Sequence, residues 1–466
     1  MRRKSTITTE EIQLTNLTET RSLERPLTAS SIVISEFQPT VSIEPENQDE
    51  AFPDGGFKAY SVVLGSFIGL VANFGTLNSI GAIQAYVATH QLEGVKTSTI
   101  SWIFSIYLAV SFANTIFVGP FFDVKGATWP LVLGTILVFG GFMAVANSKT
   151  VPQFILSLSI CVGLGNSLNI APLVGVLSHW FNVKRGAAMG IATVGGSVGG
   201  MVIPLMLKAL YAKVGFVWAI RCLAFFCLGC MLCAILLCRE RVSRKLERYD
   251  HGQRYKQIYY QFQQLFEFKS LLDPKYSFFI VGIFAVEVSM MSLLTFLATY
   301  AIAQGMKESD SYVLLTVFNA TGILGRLLPG YVSDKLGHFN IMILMLIGFS
   351  ASLLIIWLPF GYNFGALYAF SAICGFFSSS ILSLTPACLA AITPVSKFGQ
   401  RYGLMYFFVS AGNLFGIPLS AAIIGEGSKH SYDMFAVYCG VFAVVGTSCL
   451  VVSRYYIVGL RMNVKI

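Results

Sequence analysis

Apolar residues fall along the chain into twelve long runs, near 57–87, 99–121, 128–147, 151–179, 186–209 and 215–238, then 277–303, 311–331, 339–359, 363–391, 402–425 and 432–456. A helix needs about 20 residues to cross a bilayer at about 1.5 Å per residue, and every run reaches that length. None alternates apolar and polar positions with period two, which excludes a transmembrane β-barrel. The pattern predicts an all-α membrane protein with twelve transmembrane helices.

Composition agrees. Hydrophobic residues make up 55% and charged residues 12% of the 466, with a mean hydropathy of +0.69, values that a water-soluble domain of this length does not have. The net charge of +9 does not point to nucleic acid, because the basic residues sit in short connections and form no stripe interleaved with aromatics. They orient the helices instead. With the N-terminus inside, the inner loops hold Lys125, Lys184, Arg185, a run from Arg239 to Lys256, Lys335, Lys397, Arg401, Arg461 and Lys465, while the outer loops hold only scattered lysines such as Lys96, Lys149 and Lys307. This excess predicts that both termini are cytoplasmic. Residues 1–52 are rich in Ser, Thr and Glu and lack the apolar core of a cleavable signal, so a disordered cytoplasmic tail is expected there.

The polar stretch 239–276 divides the chain into an N-terminal half, 53–238, and a C-terminal half, 277–456, followed by a short cytoplasmic tail, 457–466. The halves echo each other. "GPFFDVKG" follows the second run as "GYVSDKLG" follows the eighth, and Gly119 and Gly330 are 211 positions apart. Pro172 and Pro386, and Arg185 and Arg401, repeat at nearly the same offset, which marks an internal duplication.

A parallel duplication of six spans resembles the major facilitator superfamily of transporters, whose hallmark loop Gly-x-x-x-Asp-Lys/Arg-x-Gly is matched fully by "GYVSDKLG" and loosely by "GPFFDVKG". The resemblance implies two pseudo-symmetric six-helix halves. It also implies an inner latch made by Asp334 with Lys335 and, more weakly, Asp123 with Lys125, each aspartate capping a neighbouring helix when the carrier is open outward. A narrower resemblance begins at "FPDGGFKAY" and continues in "WFNVKRGAAMGIATVGGSVGG". These look like the two signatures of the monocarboxylate-transporter family. "GNSLNIAPL", "GFVWAIR" and "PGYVSDKLGHFN" look most like its fungal branch, which includes a plasma-membrane riboflavin carrier. The implied function is movement of a small organic solute by alternating access: riboflavin by facilitated diffusion, with proton-coupled monocarboxylate transport or a non-transporting nutrient sensor as alternatives.

Polar groups inside spans are costly and therefore the first candidates for a site. Arg326 lies in the eighth run and Glu287 in the seventh, and their depths differ by about five helical residues, roughly 7.5 Å, within reach of two long side chains. The acid-transporting relatives carry an aspartate one turn before this arginine. Here that position is Gly322, which favours a neutral, larger solute without obligatory proton coupling. A flavin needs aromatic surface and a few amides or hydroxyls. The candidates are Asn78, Asn319, Asn166, Asn169, Tyr406 and Asn413, with Asn78 and Asn319 preferred because the helices that carry them line the central cavity in the resembled superfamily. The glycines of the fifth run and Gly412 with Gly416 read as packing positions. No phosphate-binding loop, metal set or nucleophile constellation accompanies them, so neither cofactor nor enzyme activity is expected. Cys227, Cys230 and Cys233 lack histidine or acidic companions. The expected partners are the solute and the lipid bilayer, and the expected state is a monomer.

Overall fold

The structure, a computed structural model, describes residues 52–241, 268–425 and 427–459, together with 461 and 464. Nearly all of the expected N-terminal tail and most of the expected basic linker lie outside the described residues. Among the described residues, eleven helices are long and apolar enough to cross a membrane, and one of them holds two spans, which gives the twelve expected. In chain order they are α1 (Phe57–Thr89), α2 (Thr99–Lys125), α3 (Thr128–Val145), α4 (Val151–Trp180), α5 (185–214), α6 (216–237), α7 (Pro274–Ala303), α8 (Glu308–Leu336), α9 (His338–Phe360), α10 (Phe364–Ala391), α11 (Phe398–Ile424) and α12 (Lys429–Val458). No strand occurs among the described residues.

Two of the boundaries that differ from the hydropathy pattern do so for identifiable reasons. The break expected between 209 and 215 is helical: Arg185–Leu237 runs on for 53 residues and reverses only at Gly215, with φ 72° and ψ 176°. Lys208 and Lys213 lower the hydropathy there, but lysine is a good helix former, so the turn falls to the one residue that tolerates positive φ. At the other end of the fold, α11 begins at Phe398, before the expected 402. Its polar first turn, with Gln400 and Arg401, is held helical from outside by the carboxylate of Asp123, which accepts from the amides of Gly399 and Gln400 at 2.9 and 2.8 Å.

Small residues set the packing. In α5, Gly199 lies against Gly75 of α1, where an added Cβ would come within 2.6 Å of the Gly75 Cα, while Gly190 lies against α8, where it would meet the Arg326 carbonyl oxygen at 2.7 Å. Helices without side chains at the seam approach closely, which is how association is driven in an apolar solvent. The two halves meet along two antiparallel seams, α5 with α8 and α2 with α11. In the first, Gly186 and Gly330 touch backbone to backbone; in the second, Gly119 and Gly399 do the same. An even number of spans puts both ends of the bundle on one face, and both glycine contacts lie towards that face.

Candidate functional site

Above those contacts, the spans bring a set of polar and aromatic side chains into the interior. Glu287 of α7 is fully buried, and neither carboxylate oxygen accepts a hydrogen bond among the described residues. Arg326 of α8, 3% exposed, donates from its guanidinium to the backbone carbonyl of Thr193 in α5, while its Nε has no partner. The two charges lie within electrostatic reach of each other, but no ion pair closes between them among the described residues. Arg326 is thus held by the opposite half of the protein. Tyr402 and Tyr406, one turn apart on α11, also lie within electrostatic reach of Glu287. Their rings stand 4.7 Å apart, and Tyr406 stacks on Phe112 of α2 at 5.0 Å and 16°.

The remaining candidates divide into two groups. Asn78 donates to the Gly196 carbonyl at 3.1 Å, and Asn319 donates to Leu315 of its own helix at 3.0 Å. Both converge on Gly200, where an added Cβ would lie 3.0 Å from the Asn78 Cβ and 3.3 Å from the Asn319 Oδ1. Asn413 is 1% exposed, and neither atom of its amide finds a partner among the described residues. Asn166 and Asn169 are instead tied into the N-terminal half: Asn166 donates to the Tyr107 hydroxyl, and Asn169 donates to Asn73 at 3.3 Å. Their bonds join α4 to α2 and α1.

At the face of the bundle that carries both ends, the repeated aspartates occupy equivalent places. Asp334 of α8 accepts from Gly186 and Ala187 at the start of α5, at 2.6 and 2.9 Å; Asp123 of α2 does the same for α11. Each aspartate therefore caps a helix of the other half, where a negative charge meets the positive end of the helix dipole. Lys335 lies over the ring of Tyr331 at 4.6 Å, and Lys125 ends α2 exposed. A further aspartate enters from the start of the described chain. Asp54, at φ 46°, accepts from the amides of Asn182, Val183 and Lys184 at 2.8, 2.8 and 3.2 Å, and so fixes the loop that leads into α5. Buried Arg185 stands in the field of both Asp54 and Asp334. Sequence reasoning did not reach Phe112, Tyr402 or the Thr193 carbonyl. Only Tyr402 carried a signal, its four-residue spacing from Tyr406.

A pair of helical halves locked at one end by exchanged aspartate caps, with buried charges midway, has counterparts among known proteins. The sequence profile described as Major Facilitator Superfamily matches residues 64–362 and again 313–460. The chain belongs to the major facilitator superfamily. It is 40% identical over 428 residues to the riboflavin transporter MCH5 of Saccharomyces cerevisiae, covering 90% of this chain and 82% of that one. It is 32% identical over 421 residues to the MFS transporter asaE of Aspergillus flavus, covering 90% and 92%. The crystal structure of the human organic anion transporter MFSD10 (TETRAN) superposes with a TM-score of 0.63 at 14% identity, over 85% of this chain and 100% of that one, which shows a shared fold. The relatives and the fold are those of membrane transporters and not of enzymes, so this facilitator is a multi-pass transporter of small solutes.

Proposed function

We propose that the protein carries riboflavin across the plasma membrane, down its gradient, by alternating access. The observation that carries this reading is the 40% identity with a riboflavin transporter over most of both chains. The interior supports it: Tyr402, Tyr406 and Phe112 supply aromatic surface, and Asn413, Asn78, Asn319, Glu287 and Arg326 supply polar groups. In this reading Asn166 and Asn169 hold the N-terminal half in shape. The face with the aspartate caps is cytoplasmic, both termini are cytoplasmic, and the carrier acts as a monomer without nucleic-acid partners. Asp334 and Asp123 close the inner end when the chamber opens outward, and releasing their caps exposes the chamber to the cytoplasm. The residues 53–238 and 277–456 form the two rocking halves.

One observation favours a second reading. Glu287 is a buried carboxylate beside a buried arginine, an arrangement suited to a proton-coupled carrier of small carboxylates. Uptake of radiolabelled riboflavin and of pyruvate into proteoliposomes separates the two. Saturable riboflavin entry with no pyruvate entry is expected; pyruvate accumulation driven by an imposed pH gradient, without riboflavin entry, overturns the proposal.

A further inference from the structure

The seam between α2 and α11 pairs residues in a regular antiparallel order. From the closed end upward, Gly119 meets Gly399, Thr115 donates to the Gly403 carbonyl at 3.3 Å, and Phe112 stacks on Tyr406. Continued for seven more residues along both helices, two turns or about 10.5 Å, this register sets Ser105 of α2 level with Asn413 of α11. Both are 1% exposed. The Ser105 hydroxyl and both ends of the Asn413 amide lack a hydrogen-bond partner among the described residues. Two unsatisfied polar side chains that this register sets at one level are costly in an apolar interior unless something else satisfies them.

A carboxamide offers one donor and one acceptor side by side. Its complement is a group with an acceptor next to a donor, and a cyclic imide, C=O beside N–H, has that edge. Resting on the proposal that riboflavin is the solute, we propose that Asn413, with Ser105 level with it, recognises the imide edge of the pyrimidine ring of the flavin. The Asn413 Oδ1 accepts from the ring N3–H, its Nδ2 donates to a neighbouring ring carbonyl, and Ser105 donates to the second carbonyl. The rest of the tricyclic ring lies towards the Phe112–Tyr406 pair, and the ribityl chain is left to Glu287 and Arg326. This assigns specificity to a position away from the charged cluster.

The test is uptake of radiolabelled riboflavin into proteoliposomes, in competition with unlabelled riboflavin or 3-methylriboflavin, in which the imide N–H is replaced by a methyl group. Against the unaltered protein, 3-methylriboflavin should compete at least about tenfold more weakly, the effect of losing a hydrogen-bonded pair in a dry site. Asn413→Leu should raise the KM for riboflavin by about tenfold and Ser105→Ala by about threefold, and in Asn413→Leu the two competitors should become nearly equal. Asn413→Thr, which keeps a hydroxyl but loses the donor–acceptor pair, serves if the leucine variant does not reach the membrane. Equal competition in the unaltered protein, or full discrimination retained in both Asn413 variants, overturns the assignment while riboflavin stays the solute. If riboflavin is neither carried nor bound, the substrate reading fails and this one falls with it.

Discussion

The carboxylate of Asp334 stands 2.6 Å from the amide nitrogen of Gly186, a residue of the other half of the chain. The cap exists only while the capped ends of the halves are together, so its energy belongs to one conformational state. Hydrogen bonds to a charged acceptor are worth about 1.5 to 3 kcal/mol, and about 1.4 kcal/mol is a factor of ten. Asp334→Asn should therefore slow turnover by about tenfold while KM stays within about twofold. The double variant with Asp123→Asn should be slower still. Unchanged transport at normal surface density would reduce both residues to loop positions.

The glycine contacts predict a different failure. A Cβ on Gly119 falls on the Gly399 carbonyl, and one on Gly330 lies 2.6 Å from the Gly186 carbonyl oxygen. Overpacking costs about 1 to 3 kcal/mol, here only in the inner-closed state. Gly119→Ala should shift the population towards the inner-open state, seen as a longer distance between spin labels at Lys125→Cys and Lys335→Cys in a cysteine-depleted background. An unchanged distance distribution would show that the seam yields.

Arg326 and Glu287 are expected to be coupled. A charge deep in a span costs at least about 2.5 to 3.5 kcal/mol on the insertion scale, and the Thr193 carbonyl satisfies only part of the guanidinium. Glu287→Gln and Arg326→Gln should each impair riboflavin uptake, and the double neutral variant should recover part of the loss. If the double variant is as inactive as Arg326→Gln alone, Arg326 acts on the solute and not through Glu287.

Proton coupling is addressed by Gly322. The space a side chain would need there is filled by the Ser379 hydroxyl, so the turn before Arg326 holds no acid. Uptake driven by the solute gradient should persist in the presence of a protonophore. Loss of uptake without a pH gradient would make Glu287 the proton-binding group.

Asp54 combines a left-handed backbone with three amide donors. Asparagine tolerates that backbone and keeps an acceptor, whereas alanine does neither. Asp54→Ala should cost about 1 to 2 kcal/mol, read as a lower Tm of the purified carrier, and Asp54→Asn clearly less. Equal Tm values for all three proteins would sink the argument.

The spans were legible in the sequence because the bilayer demands long apolar runs, and the repeat was legible because "GPFFDVKG" and "GYVSDKLG" keep their spacing. The two aspartates stood out for the same reason, but their partners did not: backbone amides at Gly186 and Gly399 leave no trace in residue type. Rotation about the helix axis was equally hidden. Asn166, Asn169 and Asn413 look alike in a hydropathy plot, yet the first two bond within their own half and the third has no hydrogen-bond partner among the described residues. Phe112 is one phenylalanine among 38, and only the register of α2 against α11 sets it on Tyr406.

At the capped end of the seams, main chain meets main chain at Gly119 with Gly399 and at Gly186 with Gly330. Side-chain contacts loosen by degrees as rotamers change, but two touching backbones have no such slack. In the proposed alternating-access cycle the closed end is therefore a hard mechanical stop, and the stroke ends at one angle whatever cargo is aboard. Mutations in the chamber above can then alter what is carried without retuning the stroke, which gives relatives of one fold a route to different solutes.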